Sequence, residues 1–168
     1  MKAIQDTNQA VLLQLSDLLS AISTTAYTTP LALLHGSSVG QHVRHTIAFY
    51  QCLMQQSKQG FVDYDTRERN FLVETDAGFA KQIATYLLEE IEQLEGNQKL
   101  FLRVSFGQDE GQEIQTTLAR ELVYLAQHAI HHFTIIKIAL SFDFPEVQLP
   151  ADFGVAYSTL KYRKMADK

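Results

Sequence analysis

The stretch LARELVYLAQHAIHHFTIIKIALS, residues 118–141, decides the fold of this chain. Apolar side chains recur through it at intervals of three and four residues, the spacing of an amphipathic helix. Thr117 precedes this stretch and has the side-chain oxygen that helix N-caps commonly use. The sequence therefore predicts a helix from the Thr117 cap to about Ser141. Its core stripe consists of Leu122, Leu125, Ala129, Phe133 and Ile136.

Three further segments have the same helical spacing of apolar residues. Four amphipathic helices in 168 residues predict an all-α fold, a four-helix bundle that forms a single domain over residues 1–168. The three further helices are Ile4–Ser23, Val39–Gln56 with a cap at Ser37 or Ser38, and a helix from Thr75 or Asp76 to about Glu95.

A small β-hairpin is predicted before the last long helix. Lys99–Ser105 has the composition of a strand, and Glu113–Thr116 can return beside it. Between them, residues 107–111 (GQDEG) form a turn signal. The tail from Phe142 contains two prolines, and we expect it to wrap over the bundle.

Composition excludes several classes of function. The net charge is -5 with no segment rich in Lys or Arg, so a nucleic-acid partner is not expected. No apolar run is long enough to cross a membrane, and the N-terminus has no signal-peptide pattern, so a cytoplasmic location is predicted. Cys52 is the only cysteine, which excludes an internal disulfide, and we expect a buried structural thiol there.

Five of the six histidines form two clusters, and both clusters lie in predicted helices. His128 and His132 are four residues apart, a spacing that places two imidazoles over one face of a helix. A third imidazole from the second helix would complete a metal site, and the spacing leaves His42 and His45 as alternatives. Without a metal, each histidine would be a solvated or hydrogen-bonded side chain.

Three nearby residues are not expected to join such a site. His131 is predicted to face solvent or a subunit contact, and His35 lies in a loop beside Gly36. Cys52 lies seven residues after His45, roughly 10 Å along the helix axis, which is too far to bind the same metal.

Two motifs resemble the DinB-like superfamily of four-helix bundles, which includes bacillithiol and mycothiol S-transferases. Residues 38–46 (SVGQHVRHT) resemble the first ligand helix of that family, and residues 128–132 (HAIHH) resemble its His-x3-His motif. The chain is also similar to the N-terminal domain of ergothioneine-forming sulfoxide synthases. The resemblance covers nearly the whole chain. It implies that His45, His128 and His132 are the metal ligands and that His42 is an extra histidine.

The predicted chemistry depends on three neutral imidazoles. This donor set suits Zn²⁺ or Ni²⁺ better than Fe²⁺ or Mn²⁺. It leaves the full dipositive charge on the metal, which acidifies a bound water or thiol. The resemblance therefore implies a metal-dependent thiol S-transferase or hydrolase that acts on a low-molecular-weight thiol or electrophile. The alternative is a non-enzymatic metal-binding or stress-related bundle, and a homodimer is expected in either case.

Other polar residues have two interpretations each. Glu121 and Tyr124 could line the metal pocket, whereas Glu121 could instead pair with Arg120 or Arg44. A polar loop between the second and third helices could form a lid that reads an anionic substrate, or it could be an ordinary solvated loop. The charged residues of that loop are Asp63, Asp65, Arg67 and Arg69. If His42 were a fourth ligand, the metal site would be closed and its role structural.

Overall fold

A computed structural model of the chain describes residues 1–107 and 111–166, and this part is mostly helical. Four helices are long and three are short. The long helices are α1 (Lys2–Ala21), α3 (Val39–Gln56), α5 (Ala77–Glu92) and α6 (Leu118–Asp143). The short helices and the strands are α2 (Thr24–Thr28), α4 (Phe71–Thr75), α7 (Tyr157–Ala166), β1 (Phe61–Val62), β2 (Lys99–Val104) and β3 (Gln112–Thr117).

The four long helices enclose the hydrophobic core. α1 packs against α5 and α6, and α3 packs against the same two helices. The stripe predicted on α6 is buried throughout, from Leu122 to Ile136, which confirms a helical fold built on that segment. No helix in the described ranges 1–107 and 111–166 combines the length and the hydropathy needed to cross a membrane.

Side-chain caps set the starts of the three later long helices. The Ser38 hydroxyl accepts a hydrogen bond from the Gln41 amide at 3.1 Å, and the Gln41 side chain accepts one from the Ser38 amide. Asp76 accepts a hydrogen bond from the Phe79 amide at 2.9 Å. Thr117 likewise caps α6. Each cap supplies an acceptor to an amide that has no partner within its helix, which is why the predicted starts are confirmed.

The predicted hairpin is present and belongs to a larger sheet. β2 and β3 pair antiparallel, with Phe101 opposite Gln115. β1 adds a third strand parallel to β2, with Phe61 opposite Phe101, and this strand goes beyond the predicted helical fold with one hairpin. The predicted turn at residues 107–111 includes residues 108–110, which lie outside the described part of the chain.

Two predicted core residues are exposed. Helical spacing in the third predicted helix places Tyr86 in the core with Phe79, Ile83, Leu87 and Ile91, but the Tyr86 side chain is 58% exposed. The predicted core positions Leu87 and Ile91 are buried, and Phe79 and Ile83 are half-buried against the core. Ala80 and Ala84 complete the buried face of α5. The sequence also predicts that Leu31, Leu33 and Leu34 pack against the core. Leu33 is exposed, because it lies on the outer side of a short 3-10 turn whose Leu34 is buried.

We expected the tail to wrap over the bundle, and one of its aromatic residues packs on α6. Phe153 is buried and stacks on Phe133, with ring centroids 5.1 Å apart. Gly154 follows with a φ of 68°, and a Cβ there would lie 2.7 Å from the Thr134 amide nitrogen. This close approach explains the glycine. α7, which the sequence did not predict, has no buried residue.

Candidate metal centre

Three histidines from two packed helices converge at one point. His45 lies on α3, and His128 and His132 lie one turn apart on α6. The Nε2 atom of His128 lies 3.2 Å from Nε2 of His45 and 3.0 Å from Nε2 of His132. Each of the three has a ligand atom within 4.8 Å of the other two, close enough for them to bind one metal ion. We call these three residues the histidine triad.

The distances suit a metal better than a set of hydrogen bonds. A tetrahedral ion with metal–nitrogen bonds of about 2.0–2.1 Å holds its ligand nitrogens roughly 3.3 Å apart. In a hydrogen-bonded cluster, each neutral ring nitrogen has either one N–H or one lone pair. Nε2 of His128 has two nitrogen neighbours and can make a good hydrogen bond to only one of them. A cation at the centre would accept all three lone pairs.

His42 lies beside the triad without joining it. Its Nδ1 lies 2.9 Å from Nδ1 of His132, the ring nitrogen that faces away from the other two triad members. The sequence spacing left His42 and His45 as alternatives for the third imidazole. The structure brings His45 into the triad and places His42 on the outer side of His132.

Burial keeps the triad neutral. Desolvation is the largest cause, and it lowers the pKa of His45 to about 4 and that of His132 to about 3. The pKa of His128 is also lowered, first by burial and then by the charge of His131 and of Arg67. At neutral pH these imidazoles therefore keep a free lone pair, which a metal ligand requires.

Aromatic rings line one side of the triad. The Phe49 ring meets His128 edge to face at 4.6 Å between centroids, and it stacks on Tyr64 at 4.9 Å. Tyr124 stacks on His128 at 5.4 Å, which confirms that it lines the site. Phe49, Tyr64 and Tyr124 form what we call the aromatic wall. Helical spacing places Phe49 on the same stripe as His45, but no sequence pattern indicates a role at the site for Phe49 or Tyr64.

Glu121 supports the aromatic wall and does not contact an imidazole nitrogen. Its fully buried carboxylate accepts hydrogen bonds from Tyr64 at 3.0 Å, Thr116 at 2.6 Å and Arg120 at 3.0 Å. The expected pairing with Arg120 is confirmed. The alternative partner, Arg44, pairs with Glu74 instead. Three donors satisfy the buried charge, as a buried carboxylate requires.

Only one of the four charged loop residues lies against the site. The Arg67 guanidinium sits over the Phe49 ring, 4.7 Å from its centroid, and donates a hydrogen bond to the Tyr64 carbonyl. Asp63 is buried and caps a 3-10 turn, whereas Asp65 and Arg69 are exposed. The solvated-loop interpretation therefore fits Asp65 and Arg69, and Arg67 is the residue that could bind an anionic group.

The remaining candidates lie outside the triad, as expected. Cys52 is buried and its Sγ donates to the Asp63 carbonyl at 3.3 Å. Burial raises the pKa of this thiol to about 11, which makes it a poor ligand and nucleophile. His35 and His131 are exposed.

Comparison with known proteins finds one partial likeness. The chain is 32% identical over 111 residues to FK506-binding protein 5 of Rhizopus delemar (strain RA 99-880). The match covers 61% of this chain and 28% of the length of that protein. The likeness is thus to a segment of a much longer protein. No protein-family model and no solved structure matches the chain.

Proposed function

We propose that this chain is a metal-dependent enzyme of the DinB-like superfamily and that the histidine triad holds its metal. The observation that supports this most strongly is the convergence of the three Nε2 atoms from α3 and α6. The proposed reaction is transfer of a small thiol to an electrophile, or hydrolysis of a small substrate. His45, His128 and His132 are the proposed ligands.

The proposed architecture is a four-helix bundle formed by α1, α3, α5 and α6. This architecture is supported by the helix contacts: α1 and α3 each pack against both α5 and α6 around one core. The two helices that carry the proposed ligands, α3 and α6, contact each other. The sheet and the short helices then lie outside the bundle as additions to it.

Zn²⁺ or Ni²⁺ is the proposed metal, because three imidazoles are a donor set that both ions bind well. No fourth His, Cys, Asp or Glu donor joins the triad among the residues that the structure describes. Three protein ligands favour a catalytic site, in which one position is left for substrate. A dipositive ion held by neutral ligands would lower the pKa of a thiol or water in that position.

The surroundings of the triad favour a small, anionic substrate. The aromatic wall supplies an apolar surface beside the triad. Arg67 places a positive charge over that wall. A low-molecular-weight thiol or electrophile with a negative group would contact both. A cytoplasmic location, a homodimer and the lack of a nucleic-acid partner stay predictions of the sequence.

The test is metal analysis of protein that is purified without a histidine tag and without added metal. We expect about one Zn or Ni per chain in the wild type and almost none in His128→Ala, because three ligands are needed for tight binding. His131→Ala is the matched control: it removes an exposed histidine from the same helix and should keep the metal. A thiol-conjugation assay with a fluorogenic bimane electrophile then tests the enzyme claim.

Two results would contradict the proposal in different ways. A wild type that contains no metal and gains no thermal stability from Zn²⁺ or Ni²⁺ would remove the metal site. Stoichiometric metal that conjugates and hydrolyses nothing would leave the alternative, a non-enzymatic metal-binding bundle.

A further inference from the structure

His132 has a protein neighbour at each of its two ring nitrogens. Its Nε2 lies 3.0 Å from Nε2 of His128, inside the triad, and its Nδ1 lies 2.9 Å from Nδ1 of His42. The other triad members differ. Within residues 1–107 and 111–166, the outer nitrogens of His45 and His128 have no hydrogen-bond partner in the protein.

The contact with His42 constrains where the protons lie. A distance of 2.9 Å between two ring nitrogens is a hydrogen bond, so one of them carries a proton and the other accepts it. A neutral imidazole carries a proton on one nitrogen only. If Nε2 of His132 is to offer a lone pair to a metal, its proton must be on Nδ1. Nδ1 of His42 is then the acceptor, and the proton of His42 lies on its Nε2.

The same bond fixes the orientation of the His132 ring. The terminal torsion of a histidine is broad, so an imidazole without an outer partner can rotate and present either nitrogen. Metal-binding histidines commonly donate their second N–H to a carboxylate, a carbonyl or water. Here the acceptor is a second histidine one turn before His45 on α3.

We propose that His42 is a positioning residue that holds His132 as its Nδ1–H tautomer, with Nε2 directed at the metal. This inference rests on the proposed metal site. In this role His42 is neither a metal ligand nor a surface residue. The coordination position opposite the triad therefore stays open. His42 also ties the ligand pair of α6 to the ligand helix α3.

Three variants separate this role from a purely structural one. His42→Ala removes the acceptor. His42→Asn restores one, because an amide oxygen can occupy the place of Nδ1. His131→Ala removes a neighbouring ring that belongs neither to the triad nor to the His42 contact, with its centroid 5.5 Å from that of His132. Circular dichroism and thermal melting would confirm that each variant is folded.

The first measurement uses metal-free protein labelled with ¹⁵N on histidine. Long-range proton–nitrogen correlations report which ring nitrogen carries the proton. We expect His132 to be the Nδ1–H tautomer in the wild type and in His42→Asn. In His42→Ala we expect the Nε2–H form of His132 to appear, because the Nδ1–H form has lost its hydrogen-bond acceptor.

The second measurement is titration with Co²⁺ and Zn²⁺. Loss of an outer partner of a metal-binding histidine commonly weakens metal binding about 10- to 100-fold. We expect that loss in His42→Ala, recovery of most of it in His42→Asn, and an unchanged Co²⁺ absorption spectrum at saturation in all three variants.

Three outcomes would overturn the inference, each for a different reason. A Co²⁺ spectrum that shows one fewer nitrogen ligand in His42→Ala would make His42 a ligand and overturn the inference. Wild-type affinity and an unchanged tautomer in His42→Ala would overturn it while leaving the metal site intact. A wild type that binds no metal would overturn the proposed function and this inference together.

Discussion

The two sides of the helical core are built from different side chains. Where α1 meets α5, the buried positions are mostly apolar, and the buried Gln5 donates a hydrogen bond to the Ile91 carbonyl at 2.9 Å. Where α3 meets α6, four histidines lie half-buried between the helices. The first interface joins two helices by packing, whereas the second brings polar nitrogens together.

The difference suggests separate tests of the two interfaces, one for stability and one for metal binding. Replacing the triad with leucines would satisfy the same helix contacts and would remove the desolvation cost of the imidazoles. A polar cluster whose neighbouring nitrogens cannot all be paired is therefore better explained by a ligand than by folding. If so, a substitution at one interface should change stability and a substitution at the other should change metal binding.

The largest expected effect is on the apolar side. Leu87→Ala removes a fully buried side chain from α5, and we expect a loss of about 2–5 kcal/mol in the free energy of unfolding. The folded fraction should still bind metal. His45→Ala in metal-free protein should lower the stability by only about 1 kcal/mol, but it should abolish metal binding. Urea unfolding in EDTA and metal analysis measure the two quantities.

The comparison would fail if these effects were exchanged. Loss of metal in well-folded Leu87→Ala, or unfolding of metal-free His45→Ala, would show that the two interfaces do not divide the roles in this way.

An intermediate effect is expected on the pH dependence of stability. His45 and His132 have pKa values of about 4 and about 3 in the folded chain, against about 6.5 in an unfolded one. Below pH 6.5 the unfolded state therefore binds protons that the folded state does not. Metal-free protein should lose stability as the pH falls from about 6.5 toward 4. Urea unfolding at several pH values measures this loss.

His132→Gln should make that pH dependence shallower, because it removes one of the groups responsible. Curves for the wild type and the variant that run parallel between pH 7 and pH 4.5 would contradict the neutral, desolvated triad.

The smallest expected effect concerns Arg67. Its positive charge lowers the pKa of His45 and His128, after the larger effect of burial, and it should repel a cation in the same way. Arg67→Met should therefore tighten Zn²⁺ binding by roughly 2- to 5-fold, an effect below 1 kcal/mol at a partly solvated site. Arg69→Met, the exposed control, should change it less. Isothermal titration with Zn²⁺ measures both, and weaker binding in Arg67→Met would contradict the electrostatic argument.

Local patterns predicted much of this fold. The starts of α3, α5 and α6 followed from caps, and the stripes of α1 and α6 followed from periodicity, because both signals act within one helix. β1 has two residues, and its partner lies about 40 residues away in β2, so no local pattern could indicate it. Tyr86 was the wrong core position on α5, because the small residues Ala80 and Ala84 complete the buried face there beside Leu87 and Ile91.

The clustering of the three histidines was predictable from the sequence, and their outer contacts were not. Spacing indicated His128 and His132, and the family resemblance chose His45 over His42. The place of His42 depends on Nδ1 of a residue 90 positions later, and the hydrogen bond between Tyr64 and Glu121 joins a loop to α6. Such contacts are set by how the helices pack.

The most direct test of the metal centre is an anomalous difference map from crystals of the Zn²⁺-loaded protein, recorded at the zinc edge. The proposal predicts one peak about 2.0–2.1 Å from Nε2 of His45, His128 and His132, with His42 outside the coordination sphere. A peak on surface carboxylates alone, or a fully loaded site that includes His42 as a ligand, would contradict it.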